Sequence, residues 1–123
     1  SAGFLATARA NLGARAELKE GSATMIPLPD ATVDVVVSGL VLNFVAEPRA
    51  AMAEMIRVTA PGGTIAAYVW DYAGKMQLMR HFWNAACSLD PSAAELDEGR
   101  RFPLCKPAPL RELCVHGRRQ PFQ

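Results

Sequence analysis

A chain of 123 residues with 20% charged residues and a formal net charge of +1 has the size and composition of one small globular domain. Such a balanced charge gives no indication of nucleic acid or of an acidic surface as a partner. The longest apolar stretch, residues 35–45, contains polar residues and is far shorter than the roughly 20 residues of a membrane helix. We therefore expect no membrane span.

The cysteines and histidines give no indication of a metal site or of disulfide bonds. His81 and His116 lack a second spaced pair of ligands, so no metal site is expected. No charged leader followed by an apolar run is visible, although Ser1 in place of methionine leaves room for a start upstream. An odd number of cysteines, at spacings that fit neither a disulfide framework nor a zinc motif, predicts a reducing, cytoplasmic protein: Cys87, Cys105 and Cys114.

The first elements are a helix and a short strand. Apolar residues recur at helical spacing from Phe4 to Leu12, with Ser1 as a candidate N-cap and Gly13 as the left-handed residue after the last turn. Residues 16–19 alternate in polarity and are bounded by Gly21, which favours a modest strand. A turn-rich loop containing two prolines follows.

Residues 33–37 form the strongest strand candidate, with four valines in five positions. β-branched residues suit a pleated sheet, and an almost uninterrupted apolar run predicts burial on both faces, as in a parallel sheet covered by helices. Pro48 then opens a predicted helix that ends near Ala60, because Pro61 disfavours the helical conformation of the residue before it. Residues 64–70 are predicted as a further buried strand.

A last long helix is predicted over residues 74–89, where apolar side chains recur every three or four positions. Beyond it, prolines and clustered charges predict a loop-rich region with at most a short helix over residues 110–114. Strands separated by helices indicate an α/β fold, a partial doubly wound parallel sheet with helices on both faces. We divide the chain into residues 1–90, the core, and residues 91–123, a loop-rich substrate-side segment or tail.

Four short motifs occur in order at the spacing of one family. The chain resembles the class I S-adenosylmethionine-dependent methyltransferases of the ubiquinone/menaquinone-biosynthesis type, which read Gly-Asp-Ala, Leu-Pro-Phe-Pro-Asp, Phe-Asp-Val-Val and Arg-Val-Leu-Lys-Pro-Gly-Gly. The corresponding segments here are Gly21-Ser22-Ala23, Ile26-Pro27-Leu28-Pro29-Asp30, Val33-Asp34-Val35-Val36-Val37-Ser38 and Arg57-Val58-Thr59-Ala60-Pro61-Gly62-Gly63. The resemblance extends from Ser1 to about Trp70 and implies a Rossmann-like fold and S-adenosylmethionine as cofactor.

The resemblance also implies a site at the carboxyl ends of the strands. Ser22 and Ala23 would lie beside the adenine, with Met25 packing near its ring. Ser38, Gly39 and Leu40 would lie near the methionine end. The residues implied on the side of the acceptor, a small molecule, are Asn43, Trp70 and Asp71.

The chain departs from the family pattern at three places. Ser22 replaces an aspartate that accepts a hydrogen bond from the adenine amino group, and a hydroxyl is a weaker acceptor. Asn43 replaces a frequent histidine, so no catalytic base is assigned. The first two strands of the family, with their glycine-rich loop and ribose-binding acid, have no counterpart. The strand over residues 33–37 would then be an exposed edge.

These observations leave several hypotheses. The first is methyl transfer to a small acceptor by an intact protein of which this chain is part. The alternative is a truncated or vestigial module, without catalysis, that acts or self-associates through the exposed sheet edge. A nicotinamide-binding Rossmann domain is a third possibility, against which the lack of a Gly-x-Gly-x-x-Gly motif counts.

Overall fold

A computed structural model describes residues 2–117 of the chain. These residues form five α-helices and two strands in the order α1 (Ala2–Leu12), β1 (Val33–Gly39), α2 (Pro48–Val58), β2 (Thr59–Tyr68), α3 (Gln77–Leu89), α4 (Glu98–Arg101) and α5 (Pro107–Gly117). None of the helices in this part of the chain is long and apolar enough to cross a membrane. The α/β class is confirmed, with a partial Rossmann-like sheet.

The N-terminal region agrees with the sequence in its helix and differs in its strand. Helix α1 is present, and Gly13 has the predicted positive φ, 55°. Ser1, the candidate N-cap, lies outside the described residues. The strand predicted over residues 16–19 is wrong, because that segment is irregular. It contains no β-branched residue, and the described residues offer it no neighbouring strand with which to pair.

The two strands form a parallel pair, as predicted for a crossover through a helix. Val35 pairs with Thr64 and Gly39 with Tyr68, but Val33 pairs with Thr59. Residues 60–63 of β2 therefore stand opposite Asp34 alone and form a wide bulge. Gly63 lies within this bulge, where an added Cβ would come 2.7 Å from the carbonyl oxygen of Asp34 and 2.9 Å from that of Ala60.

Only one face of this sheet is covered within the described residues. Val36, Ile65 and Ala67 pack against the core. On the other face, Val35, Val37 and Tyr68 are 59%, 62% and 57% exposed. The prediction that the valine-rich strand is buried on both faces is therefore wrong for these residues. No helix of the described part covers this second face well enough to bury its side chains. The sequence was misleading because the residues on the exposed face, Val35 and Val37, are also apolar, so the strand has the continuous apolar run of one that is buried on both faces.

Helix α2 supplies most of the core. Met52, Met55 and Ile56 lie on its apolar side at helical spacing, and the first two are buried. The helix ends at Val58, two residues before the predicted end, and β2 begins at once. The hydroxyl of Thr59 donates to the carbonyl oxygen of Met55 at 2.6 Å, which satisfies one acceptor of the last turn. The central buried cluster is Leu42, Ala51, Met52, Met55 and Leu113.

The C-terminal third is more helical than its prolines predicted. Helix α5 has 11 residues rather than the short helix expected, and its Leu113 is part of the core. Pro107 and Pro109 fall in the first turn, where a missing N–H has no helical partner to lose. Arg80 of α3 forms an ion pair with Asp97, which also caps α4 by accepting from the Gly99 N–H. The division at residue 90 stays a prediction.

Candidate cofactor site

The loop before β1 forms a compact turn at the position implied for the adenine. The Oγ of Ser22 accepts from the Thr24 N–H at 3.2 Å and lies 2.8 Å from the Thr24 hydroxyl oxygen. The Met25 N–H donates to the carbonyl oxygen of Ser22 at 3.1 Å. Such local bonds give the turn a fixed shape without the aspartate that the family pattern has at this position.

Two open cavities adjoin at this turn. The larger, of about 480 Å³, is lined by Glu17, Lys19, Gly21, Ser22, Ala23, Ile26, Pro27 and Leu28. The smaller, of about 220 Å³, is lined by Ala23, Ile26, Val36, Val37, Ser38, Gly39, Val41, Leu42 and Met55. Ala23 and Ile26 belong to both linings, so the two cavities are adjacent, and together we call them the cleft.

The carboxyl end of β1 has an unusual backbone. Leu40 has a positive φ of 56°, a conformation that costs a non-glycine residue roughly 1–2 kcal/mol. Its N–H donates to the carbonyl oxygen of Tyr68 at 2.9 Å, so the turn is attached to the end of β2. At Gly39 an added Cβ would collide with the ring of Tyr68. The chain therefore turns sharply at the edge of the cleft, where strain is common in binding sites.

Asn43 is the least expected feature of this edge. It lies in the 3₁₀ turn Leu42–Phe44 and is only 8% exposed. Neither its Oδ1 nor its Nδ2 has a hydrogen-bond partner among the described residues. Leaving a buried amide unpaired costs stability, so a polar group that bonded to Asn43 would be held favourably there.

Trp70 and Asp71 follow β2 at the same edge, and Trp70 is 45% exposed. The two carboxylate oxygens of Asp71 accept from the Gly74 N–H at 2.9 Å and the Lys75 N–H at 3.0 Å. These bonds fold residues 71–76 into a turn before α3, which is why that helix begins at Gln77 rather than at Gly74. Asp71 thus has a structural use beside the acceptor role implied for it.

An aromatic cluster of Phe44, Tyr72 and Phe102 connects the 3₁₀ turn after β1 to the turn after β2. Phe102 contacts Phe44 edge-to-face with ring centroids 5.3 Å apart, and it also contacts Tyr72 at 5.7 Å. Burial raises the pKa of the Tyr72 hydroxyl, with a further contribution from Cys105 and Glu98. Burial likewise raises the pKa of the Cys105 thiol, beside Asp71. Both groups are therefore neutral near pH 7, and the cluster is an apolar wall.

The structure brings together some of the residues implied by the resemblance and not others. Ala23, Ser38 and Gly39 line one cavity, and Ser22 lines the cavity beside it. Met25 is 73% exposed and lines neither cavity. The other implied residues outside both linings are Leu40, Asn43, Trp70 and Asp71. Residues 2–117 contain no cluster of acidic, histidine and cysteine side chains that could hold a metal ion.

Sequence reasoning missed an ion pair behind the cleft. Arg57 and Glu54 lie on one side of α2 and bond to each other and to the loop that lines both cavities. The spacing of three residues with opposite charges was the available signal, but it is common on solvated helices. The hydrogen bond from Arg57, followed by that from the Ile26 N–H, lowers the pKa of Glu54 from 4.5 to about 2.

That lowered pKa predicts an acid-dependent loss of stability. Because Glu54 binds its proton less readily in the folded state, its contribution is complete above pH 4.5 and disappears as the pH falls toward 2. We expect the urea midpoint of the wild-type protein to fall over this range, and the midpoint of Glu54→Gln to fall less. Denaturation curves at several pH values measure both. Parallel acid dependence of the two proteins would contradict the assignment.

The comparison with known protein families now gives the class. Residues 1–67, more than half of the chain, match the family described as "Methyltransferase domain". The chain belongs to this family, so the resemblance to class I S-adenosylmethionine-dependent methyltransferases is confirmed. S-adenosylmethionine is the methyl donor of the family's members.

Individual relatives share only part of their length with the chain. It is 40% identical over 63 residues to malonyl-[acyl-carrier protein] O-methyltransferase of Serratia marcescens, covering 51% of this chain and 24% of that protein. It is 47% identical over 45 residues to demethylmenaquinone methyltransferase of Renibacterium salmoninarum, covering 37% and 19%. An uncharacterized protein of Mycobacterium tuberculosis is 34% identical over 65 residues, covering 53% and 24%. No solved structure matches.

Proposed function

We propose that the protein to which these residues belong transfers a methyl group from S-adenosylmethionine to a small-molecule acceptor. The observation that carries the proposal is the cleft in which Ala23, from the loop, meets Ser38 and Gly39, from the end of β1. These residues are distant in sequence, and the family pattern implies all three beside one cofactor. A cleft at the carboxyl end of a parallel pair is where doubly wound folds bind ligands.

The proposed roles are those that the family resemblance implies, and four of the residues, Ser22, Ala23, Ser38 and Gly39, line the cavities. Ser22 and Ala23 contact the adenine, and Met25 covers its ring from the exposed side of the turn. Ser38, Gly39 and Leu40 contact the methionine end. The residues proposed on the acceptor side are Asn43, Trp70 and Asp71.

The chemistry asks little of the protein beyond positioning. The sulfonium of S-adenosylmethionine supplies the activated methyl group, and transfer is an in-line displacement that requires the acceptor atom to be held in line. The apolar wall of Phe44, Tyr72 and Phe102 would exclude water from the acceptor side. No residue is proposed as a base. The two named relatives carry different acceptors in their names, so the acceptor is proposed only as a small organic molecule.

Calorimetric titration with S-adenosylmethionine tests the proposal. The chain spans about a quarter of the relatives it matches, so the titration is made on the 123-residue chain and on the full-length gene product that carries it. We expect saturable binding by the full-length product, competed by S-adenosylhomocysteine. Absence of binding by both proteins would refute the proposed function.

Replacing Ser22 by aspartate is expected to tighten cofactor binding. A carboxylate accepts a hydrogen bond from the adenine amino group more strongly than a hydroxyl does, and charge assistance adds about 1 kcal/mol, or roughly fivefold in Kd. The same titration measures the change, with Thr24→Ala as a control that removes the hydroxyl partner of Ser22 without adding charge. An unchanged or weaker affinity of Ser22→Asp would place the adenine elsewhere.

The uncovered face and edge of the sheet support a second proposal, that the 123 residues alone act as an interaction module and self-associate. Val35, Val37 and Tyr68 are apolar and exposed side by side on this face. Sedimentation equilibrium of the 123-residue chain tests it, and a monomer at all concentrations would contradict it. Measurable methyl transfer by the chain alone would show that it is not merely a vestigial module.

We also propose a cytoplasmic location, in keeping with three free thiols.

A further inference from the structure

One arginine connects helix α2 to the loop of the cofactor cleft. The guanidinium of Arg57 donates hydrogen bonds from all three of its nitrogens. Nε donates to Glu54 Oε1 at 2.7 Å, and Nη2 donates to Glu54 Oε2 at 2.8 Å and to the Ile26 carbonyl oxygen at 3.0 Å. Nη1 donates to the Leu28 carbonyl oxygen at 2.9 Å and to Asp30 Oδ1 at 2.6 Å. Arg57 therefore holds two backbone carbonyls that lie 29 and 31 residues earlier in the chain.

Glu54 completes the connection. Its Oε2 accepts from the Ile26 N–H at 2.8 Å, so both backbone polar groups of Ile26 are bound by the same pair of side chains. Ile26 lines both cavities of the cleft, and Leu28 lines the larger one. The backbone adds two bonds in the same region, from Ala31 and Thr32 to the carbonyls of Arg57 and Val58.

This arrangement differs from an ordinary surface ion pair. An exposed pair on a helix contributes little to stability, because water competes for both charges. Here the side chains of Arg57 and Glu54 are only 29% and 20% exposed, and most of their bonds lead away from the helix. The planar guanidinium offers donors in several fixed directions, which a lysine ammonium cannot reproduce.

We propose that Arg57 and Glu54 are positioning residues that hold the loop of residues 22–30 in the shape that receives the adenosyl part of the cofactor. The inference rests on the proposed function for its ligand, but the clamp itself is a property of the chain. A loop fixed before binding loses less conformational entropy when the ligand arrives. The clamp therefore affects cofactor affinity more than the rate of transfer once the cofactor is bound.

The test combines hydrogen exchange with ligand binding in Arg57→Lys and Glu54→Gln. We expect the Ile26 amide to exchange faster in both variants, and the Kd for S-adenosylmethionine to rise about tenfold while kcat at saturating cofactor stays within about twofold. Arg80→Lys is the matched control, because it weakens another part-buried ion pair, with Asp97, away from the loop. It should leave Ile26 exchange and cofactor Kd unchanged even if its melting temperature falls equally.

Two results would overturn the clamp. One is unchanged exchange at Ile26 in both variants. The other is a rise in Kd that Arg80→Lys reproduces at equal loss of stability, since the effect would then be general. If wild-type protein binds no S-adenosylmethionine, the proposed function fails, while faster exchange at Ile26 in the two variants would still support the clamp and its absence would refute it.

Discussion

Replacing Asn43 by leucine is expected to stabilise the fold and to remove most of the proposed methyl transfer. Asn43 is 8% exposed, and neither polar atom of its amide has a partner in the described part of the chain. Leaving such a group unpaired costs about 1–3 kcal/mol, and a leucine, which branches at Cγ as asparagine does, has no polar group to leave unpaired. We expect the free energy of unfolding to rise by about 1–3 kcal/mol in urea titrations.

The loss of activity follows if the acceptor uses the amide. One acceptor oxygen and a donor NH₂ can orient a hydroxyl, carbonyl or carboxyl group, and leucine offers neither. A decrease of kcat/KM for the acceptor of about a hundredfold is expected, which corresponds to one lost buried hydrogen bond to a ligand. The Kd for S-adenosylmethionine should not change. A destabilised variant, or one with full activity, would show that Asn43 has another role.

Replacing Gly63 by alanine is expected to cause a large loss of stability. The new Cβ would lie 2.6 Å from the methyl group of Thr59, 2.7 Å from the Asp34 carbonyl oxygen and 2.9 Å from that of Ala60. Two of these atoms belong to the backbone and cannot rotate away, so β1 and β2 must separate at the bulge. We expect a loss of about 3 kcal/mol in chemical denaturation.

Gly62 provides the matched control for this experiment. It adjoins Gly63 in the bulge, but an added Cβ would meet nothing within 4 Å, and its φ is 83°. Gly62→Ala therefore carries backbone strain without a collision, for which a loss of about 1 kcal/mol is expected. Equal losses in the two variants would show that the bulge relaxes freely and that contact at Gly63 does not determine the pairing.

The elements predicted best were those with the strongest local chemistry. Four valines in five positions specify β1, and Pro48 and Pro61 bracket α2 closely enough to place the crossover. Residues 16–19 had only alternating polarity, and a strand needs a partner that the described residues do not contain. The cover of a strand is a tertiary property, so the sequence of β1 could not show that Val35 and Val37 stay exposed.

The order of the motifs along the chain indicated where the site would lie, but the sequence could not predict the individual hydrogen bonds around it. Ala23, Ser38 and Gly39 line one cavity, although the strand predicted before Ala23 is absent from the described residues. The bonds of Arg57 to Ile26 and Leu28 involve backbone atoms, which every residue has, so no residue pattern reports them. The unpaired amide of Asn43 was equally hidden, since only coordinates show that a polar group lacks a partner.

The direct passage from α2 into β2 limits where this protein can change length. Helix α2 ends at Val58 and strand β2 begins at Thr59, so no loop lies between them that could accommodate an extra residue. An insertion there would rotate the helix by about 100° relative to the strand and move Arg57 off the loop it holds. Residues 60–63 already stand opposite a single partner, so natural variants of altered length are expected to carry their insertions or deletions in that stretch.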